Sequence, residues 1–247
     1  MNEKEKRLKN KIVLITGASR GIGRSVALRF AKEGAHLIIL ARTTGALEAL
    51  DDQIRDLTGN NSTLIPFDLE NTHDIKNLSH EVHNRFKRLD VLVGNAGILG
   101  GLSPINDITS DTWQTVLNVN LNANWQLINC FNPLLKRSKA GRVIFVTSSV
   151  GSRPRAYWGA YSVSKAALEM LTKIYAQEQI KSHINVNLIN PGATRTRMRA
   201  EAMPGEDSNK LKHPDEVTEY FVQLAEDSCL LNGVTIDCNK DKKDNTS

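Results

Sequence analysis

The chain has 247 residues, 40% of them hydrophobic, enough for one large domain that needs no disulfide or metal staple. Its formal charge of +5 gathers at the ends, where Lys4, Lys6, Arg7, Lys9 and Lys11 outweigh Glu3 and Glu5, and Lys240, Lys242 and Lys243 outweigh Asp241 and Asp244. The body is therefore nearly neutral, which argues against a nucleic-acid surface, and no apolar run approaches the roughly 20 residues of a membrane span.

Residues 1–10 read as a polar, solvated tail. Short β-branched runs then alternate with helical patterns. The order is a strand at 11–16, a helix from about 21 to 33, a strand at 36–41 and a helix over 46–57. A strand at 62–67, a helix from about 74 to 86, a strand at 89–93 and one long helix from about 110 to 135 follow. A strand at 142–147, a helix from 160 to about 179, a strand at 184–189, a helix near 214–224 and a last strand at 234–237 complete the set. Residues 238–247 read as a charged tail. Strands buried on both sides read as continuous apolar runs, and these do. The expectation is an α/β fold: one doubly wound parallel sheet of about seven strands with helices on both faces, spanning 11–237. Cys130, Cys229 and Cys238 form no CxxC pair, and their odd number suits a reducing, cytoplasmic setting with no metal site. MNEKEKRLKNK holds no apolar stretch of a secretory signal.

Thr16-Gly-Ala-Ser-Arg-Gly-Ile-Gly23 lies between the first strand and the first helix. Glycines there let the backbone turn tightly and approach a pyrophosphate at a helix N-terminus. The spacing is GxxxGxG. TGxxxGxG opening such an alternating chain resembles the short-chain dehydrogenases/reductases, which have a Rossmann-type fold. The resemblance implies a nicotinamide dinucleotide held by Gly17, Ser19, Arg20, Gly21, Ile22 and Gly23. It gives Asp68 a contact to the adenine amino group, where an Asx turn is the bland reading. Gly94-Asn95-Ala96-Gly97 is similar to the family's NNAG, with Asn95 supporting the sheet and lining the crevice. Asn190-Pro191-Gly192 matches its NPG element, with Thr194 and Thr196 following toward the nicotinamide. Each motif falls at the C-terminal end of an expected strand, where open α/β sheets bind ligands.

Tyr161 and Lys165 are i and i+4 on one helix face. A nearby ammonium lowers a phenol from about 10 and permits proton exchange with a carbonyl or alcohol oxygen. The resemblance makes Tyr161 the acid/base, Lys165 also a ribose ligand, and Ser148 the substrate-orienting hydroxyl, thirteen residues before Tyr161. Ser149 is the neighbouring alternative. It also gives Asn120 a water linking Lys165 to solvent. Several motifs in order, from about Lys11 to Asp237, carry the likeness.

NAD-binding relatives of this fold usually carry an acid after the second strand. Here Ala41 is followed by Arg42, and Arg20 lies in the glycine turn, so NADP(H) is the expected cofactor. The resemblance also implies a small carbonyl or alcohol substrate, and the reductive direction by family analogy. A lid over about 193–213 is expected to shape its pocket. Arg153, Arg155, Arg195 and Arg199, with Trp158, either rim a pocket for an anionic substrate or are solvated loop charge. Ketoacyl-carrier reductases are the alternative activity, but their two carrier-binding arginines fall at Lys139 and Ser182. Asp237-Cys238-Asn239 replaces the family's Asp-Gly-Gly, so dimer and tetramer both stay open. Trp158-Gly-Ala-Tyr161 and the stretch from Asn190 to Thr196 look closer to a little-characterised bacterial oxidoreductase branch. A cofactor-binding regulator without turnover is the non-enzymatic reading.

Overall fold

The computed structural model describes residues 6–239. Seven strands are described: β1 (Ile12–Thr16), β2 (His36–Ala41), β3 (Thr63–Pro66), β4 (Val91–Gly94), β5 (Arg142–Val146), β6 (Asn185–Asn190) and β7 (Thr235–Asp237). They form one sheet, ordered β3-β2-β1-β4-β5-β6-β7, and every pair is parallel. The chain runs outward one way from β1 to β3, then returns to β4 and runs the other way. β1 and β4 are thus neighbours, with Val13 opposite Val91, and the crevice at their C-terminal ends is the switch point of the sheet.

Alternate residues of each strand feed opposite layers. Val13 and Ile15 pack with Val26, Phe30, Leu47 and Phe221 on one side. Those come from α1 (Gly21–Lys32), α2 (Thr44–Thr58) and, near the C-terminus, α8 (Thr218–Ala225). Leu14 goes to the other side, with Leu78, Phe131 and Leu168. These belong to α3 (Ile75–Phe86), α5 (Ala123–Leu135) and α6 (Gly159–Glu178). The doubly wound α/β expectation holds.

Four details differ from the expected elements. The long helix is interrupted: α4 (Ser110–Leu117) joins α5 through one π-helical turn at Asn118–Asn122. Its asparagines brace that turn. Asn118 Oδ1 accepts from Gln114 Nε2 and Asn122 Nδ2, both at 2.9 Å, and Asn124 Nδ2 donates to the Asn120 carbonyl at 2.8 Å. The helix expected near 214–224 begins as a 3-10 segment at Pro214–Val217. A short helix, α7 (Arg197–Ala202), stands in the lid, and Arg195 N donating to Lys212 O at 2.8 Å ties the lid's two stalks together.

The fourth difference is at the N-terminus. Residues 6–10 do not trail off as a solvated tail. Leu8 is fully buried in the core, and Arg7 pairs with Glu226 and, at 2.7 Å, with Glu219 of α8. Glu219 also receives Arg29 at 2.7 Å, and Lys11 pairs with Asp227. Residues 1–5 of the expected tail, and 240–247 of the other, lie outside the described residues. Cys238 is buried, its N–H on the Asn190 carbonyl at 2.9 Å, so the C-terminal stretch also begins packed.

Candidate active site

The glycine turn leaves β1 directly beside the turn after β4. Gly17 has φ +63° and Gly21 φ +54°, backbone that a side chain disfavours. A Cβ at Gly23 would collide with the Gly17 carbonyl and with Asn95 Nδ2. Gly23 therefore packs beneath the turn and does not line the crevice, whereas Gly17, Ser19, Arg20, Gly21 and Ile22 do. Asn95 Nδ2 donates to the carbonyls of Thr16 at 3.0 Å and Gly17 at 3.2 Å. Thr16 Oγ1 accepts from the N–H groups of Asn95 at 3.0 Å and Ala96 at 3.1 Å. Asn95 thus locks the two turns together and lines the crevice.

The crevice encloses about 690 Å³ and runs from this turn to Tyr161. At one end, Arg20 and Arg42 are exposed and make no ion pair among the described residues. No acid follows Ala41. Asp68 also lines the crevice while its Oδ1 accepts from Glu70 N at 3.1 Å, so it serves the turn and remains available. Leu40, Leu69 and Val119 supply apolar walls there. Only their places at strand ends and on the π turn hinted at them. Pro191, Gly192 and Thr194 line the far side, with Thr194 buried and its hydroxyl on the carbonyls of Pro191 and Gly192. Thr196 caps α7 by accepting from Arg199 N at 3.2 Å, and its methyl faces Gly21 across the crevice.

At the other end stand Ser148, Tyr161 and Lys165. Ser148 follows β5 and lines the crevice, while Ser149 is exposed and outside it. Tyr161 and Lys165 are both buried, one turn apart on α6, with Lys165 Nζ 5.7 Å from the Tyr161 ring centroid. Lys165 Nζ donates to the Val146 carbonyl at 2.8 Å. Burial pushes the Tyr161 phenol up to about 12, against a lowering hydrogen bond from Ser148. The expected depression by the neighbouring ammonium is overridden, because burial penalises phenolate more. Burial also lowers Lys165 to about 8, opposed by the carboxylate of Glu169. Thr147 Oγ1 holds that carboxylate at 2.7 Å. Glu169 went unnoticed in the sequence, although i+4 from Lys165 is a readable spacing.

Asn120 is fully buried and does not line the crevice. Its side chain is already committed. Oδ1 accepts from Ile98 N at 2.8 Å, and Nδ2 donates to Ile98 O and Ser164 Oγ, both at 3.0 Å. It clips the turn after β4 to α6. A Cβ at Gly97, a crevice residue, would sit 3.3 Å from Asn120 Oδ1 and 3.6 Å from Lys165 Nζ. Three hydrogen bonds make the side chain a brace of the site.

The arginine-rich mouth resolves differently from the anionic-pocket expectation. Arg199 makes a two-nitrogen ion pair with Glu206 at 2.5 and 2.6 Å, and Arg197 pairs with Glu201 at 2.8 Å. Arg155 lies over the Trp158 ring at 5.2 Å and outside the crevice, and Arg153 is outside as well. Arg195 alone of the proposed set lines the crevice without an ion pair among the described residues. Tyr161 instead clusters with Leu99, Val150, Trp158 and Ala202, flanked by Leu102, Met198 and Met203. On the ketoacyl alternative, Ser182 turns its hydroxyl to Gln179 at 3.0 Å, so the second carrier-facing cation has no counterpart.

A phosphate-type glycine turn, a crevice at the switch point and a buried Tyr/Lys pair at its end define a nucleotide-dependent oxidoreductase. The sequence pattern of the short chain dehydrogenase family matches residues 11–207, and the chain belongs to that family. It is 38% identical over 243 residues to the uncharacterized oxidoreductase YciK of Escherichia coli K12, covering 97% of this chain and 96% of that protein. A short chain dehydrogenase of Shigella flexneri 2a, complexed with NADP, superposes with TM-score 0.93 at 38% identity, covering 96% of this chain and 100% of that one. Another from Escherichia coli CFT073, complexed with NADPH, gives 0.92 at 38% identity with the same coverage.

Proposed function

We propose that the chain is an NADP(H)-dependent reductase that converts a carbonyl compound to an alcohol, with Tyr161 as general acid. The observation that carries this is the meeting of Ser148, Tyr161 and Lys165 at the end of the crevice that starts at the glycine turn. The donor set fits the cofactor. The turn at Gly17–Gly21 suits the pyrophosphate, Arg20 and Arg42 the 2′-phosphate, Asp68 the adenine, and Lys165, Thr194 and Thr196 the nicotinamide end. NADPH, when bound, supplies the hydride that reduces the carbonyl carbon.

Ser148 and Tyr161 hold the carbonyl oxygen by two hydrogen bonds. Tyr161 then gives its proton to that oxygen as the carbon is reduced. A phenol held at about 12 stays protonated at neutral pH, which is the form that donates to a carbonyl oxygen. Lys165 stabilises the phenolate left behind and returns a proton to it. The exposed Val163, Met170 and Ile174 along α6 support a homodimer or homotetramer, and three free cysteines suit a reducing cytoplasm.

The test is Tyr161→Phe with NADPH and a panel of carbonyl compounds. The variant keeps NADPH affinity by fluorescence titration and loses about 10²–10⁴-fold in kcat, the range of positioned acid catalysis. Equal turnover in both proteins refutes the assignment. NADPH binding without turnover in the parent protein would point to a cofactor-binding regulator.

A further inference from the structure

The reaction class leaves open what flanks the carbonyl, and the wall beside Tyr161 bears on that. Leu99, Val150, Trp158 and Ala202 pack with the phenol, and Leu102, Met198 and Met203 border them. Trp158 meets Tyr161 edge-on at 5.9 Å. Besides Ser148 and Tyr161, already assigned to the carbonyl oxygen, the crevice is lined by Arg195, Arg197, Arg199 and His213, and His213 Nδ1 accepts from Asp215 N at 3.3 Å.

The cations nearby are spent elsewhere. Arg199 holds Glu206 through two nitrogens, Arg197 holds Glu201, and Arg155 covers the outer face of Trp158. Arg199 would have to give up the Glu206 carboxylate to take one from a substrate, an exchange of like for like that leaves Glu206 unpaired beside the incoming anion. Arg195 lines the crevice with no ion pair among the described residues, and it is the cation that an anionic substrate would have to recruit. An anion at this wall that did not reach Arg195 would lose its water and gain no partner.

The apolar surface also continues outward. Ser103 N donates to the Tyr157 carbonyl at 3.1 Å, joining the loop after β4 to the loop before α6. This seam carries Ile105 and Tyr157, which are 68% and 62% exposed. Tyr157 is held at φ +73°, an uncommon backbone for a non-glycine residue. Two methionines, flexible and polarisable, line the lid side and can mould to more than one shape.

Resting on the reductase reading, we infer that the substrate is an uncharged ketone or aldehyde with an extended apolar body. It lies along Trp158, Met198 and Ala202 and emerges over Ile105 and Tyr157. The redox step is the one above: two electrons and a proton as hydride from NADPH to the carbonyl carbon, a second proton from Tyr161 to the oxygen, giving the neutral alcohol and NADP+.

The experiment uses the full chain with NADPH and two series: 2-alkanones of increasing length, and oxo acids of matched length with a terminal carboxylate. NADPH consumption gives kcat/KM. In the alkanone series it rises by about fourfold per added CH2 while the chain still meets the wall, the factor that burial of a methylene provides. The oxo acids fall at least tenfold below their neutral counterparts, and Arg195→Ala and Arg199→Ala leave that ratio unchanged. Met198→Lys narrows the gap, because it sets an unpaired cation on the wall. Oxo acids that match or exceed the alkanones, with the advantage lost in Arg195→Ala or Arg199→Ala, overturn this proposal and leave the reductase reading standing. No turnover of either series, with NADPH still bound, overturns the reductase reading and this inference with it.

Discussion

Asn120→Ala separates two roles for a residue in the middle of the site. The substitution deletes three side-chain hydrogen bonds, to Ile98 N, Ile98 O and Ser164 Oγ. Ser164 Oγ keeps its bond to the Tyr161 carbonyl at 2.7 Å, so the loss falls mainly on the Ile98 peptide groups. At about 1 kcal/mol for each bond, the folded state loses about 3 kcal/mol. For a chain of this size, at about 2–4 °C per kcal/mol, Tm falls by about 6–12 °C. Gly97 lies between Asn120 and Lys165, so slackness there also displaces the ammonium, and kcat falls with stability. Thermal melting and steady-state kinetics on the same preparations read both. An unchanged Tm with a large loss of kcat would refute the bracing role and favour a water-holding one.

Other outcomes follow from the same geometry. Arg42→Asp removes a free cation where the 2′-phosphate is expected and installs an acid, so NADPH binding weakens by about 100-fold or more while NADH binding holds or improves; titration with both cofactors checks it, and equal losses would count against NADP(H). Lys165 at about 8 is charged below that pH and loses its charge above it, so reductase kcat/KM declines by up to about tenfold per pH unit on the alkaline side. Glu169→Gln removes the carboxylate that favours the ammonium and moves this limb to lower pH; a move upward contradicts the assigned sign. Leu8→Ala costs about 2–5 kcal/mol by denaturant unfolding, the range for a buried leucine, while Lys9→Ala on the exposed neighbour costs little.

The strands were legible to within a residue or two, because parallel strands buried on both sides must be apolar throughout. The glycine turn, Asp68, Asn95, Ser148 and Gly192 were legible because each follows the C-terminal end of a strand, and Tyr161 with Lys165 because they share one helix face. Other features depend on partners that local pattern does not reveal. Arg7 looks like a solvated charge until Glu219 and Glu226, 212 and 219 residues away, close on it. Arg199 looks like an anion receptor until Glu206 takes both its nitrogens. The helix Arg197–Ala202 is too short and too charged to show an apolar stripe. The asparagines at 118, 122 and 124 resemble compositional bias, yet their side chains hold the π turn. Tyr161 shows a different limit: spacing reveals the ammonium beside it, and only burial reveals which influence on the phenol wins.

That π turn has a consequence for how the chain can change length. A π turn is one residue more than an α-helix needs for the same advance. A deletion of one residue there would let α4 and α5 run as an unbroken α-helix, with Leu127 and Phe131 still facing the sheet. What such a deletion would take away is the wide turn that carries Asn120 to Ile98 and Ser164. The core and the active-site brace therefore respond differently to the same one-residue event. A shortened chain would keep the architecture and lose the brace, giving a folded cofactor binder with little turnover.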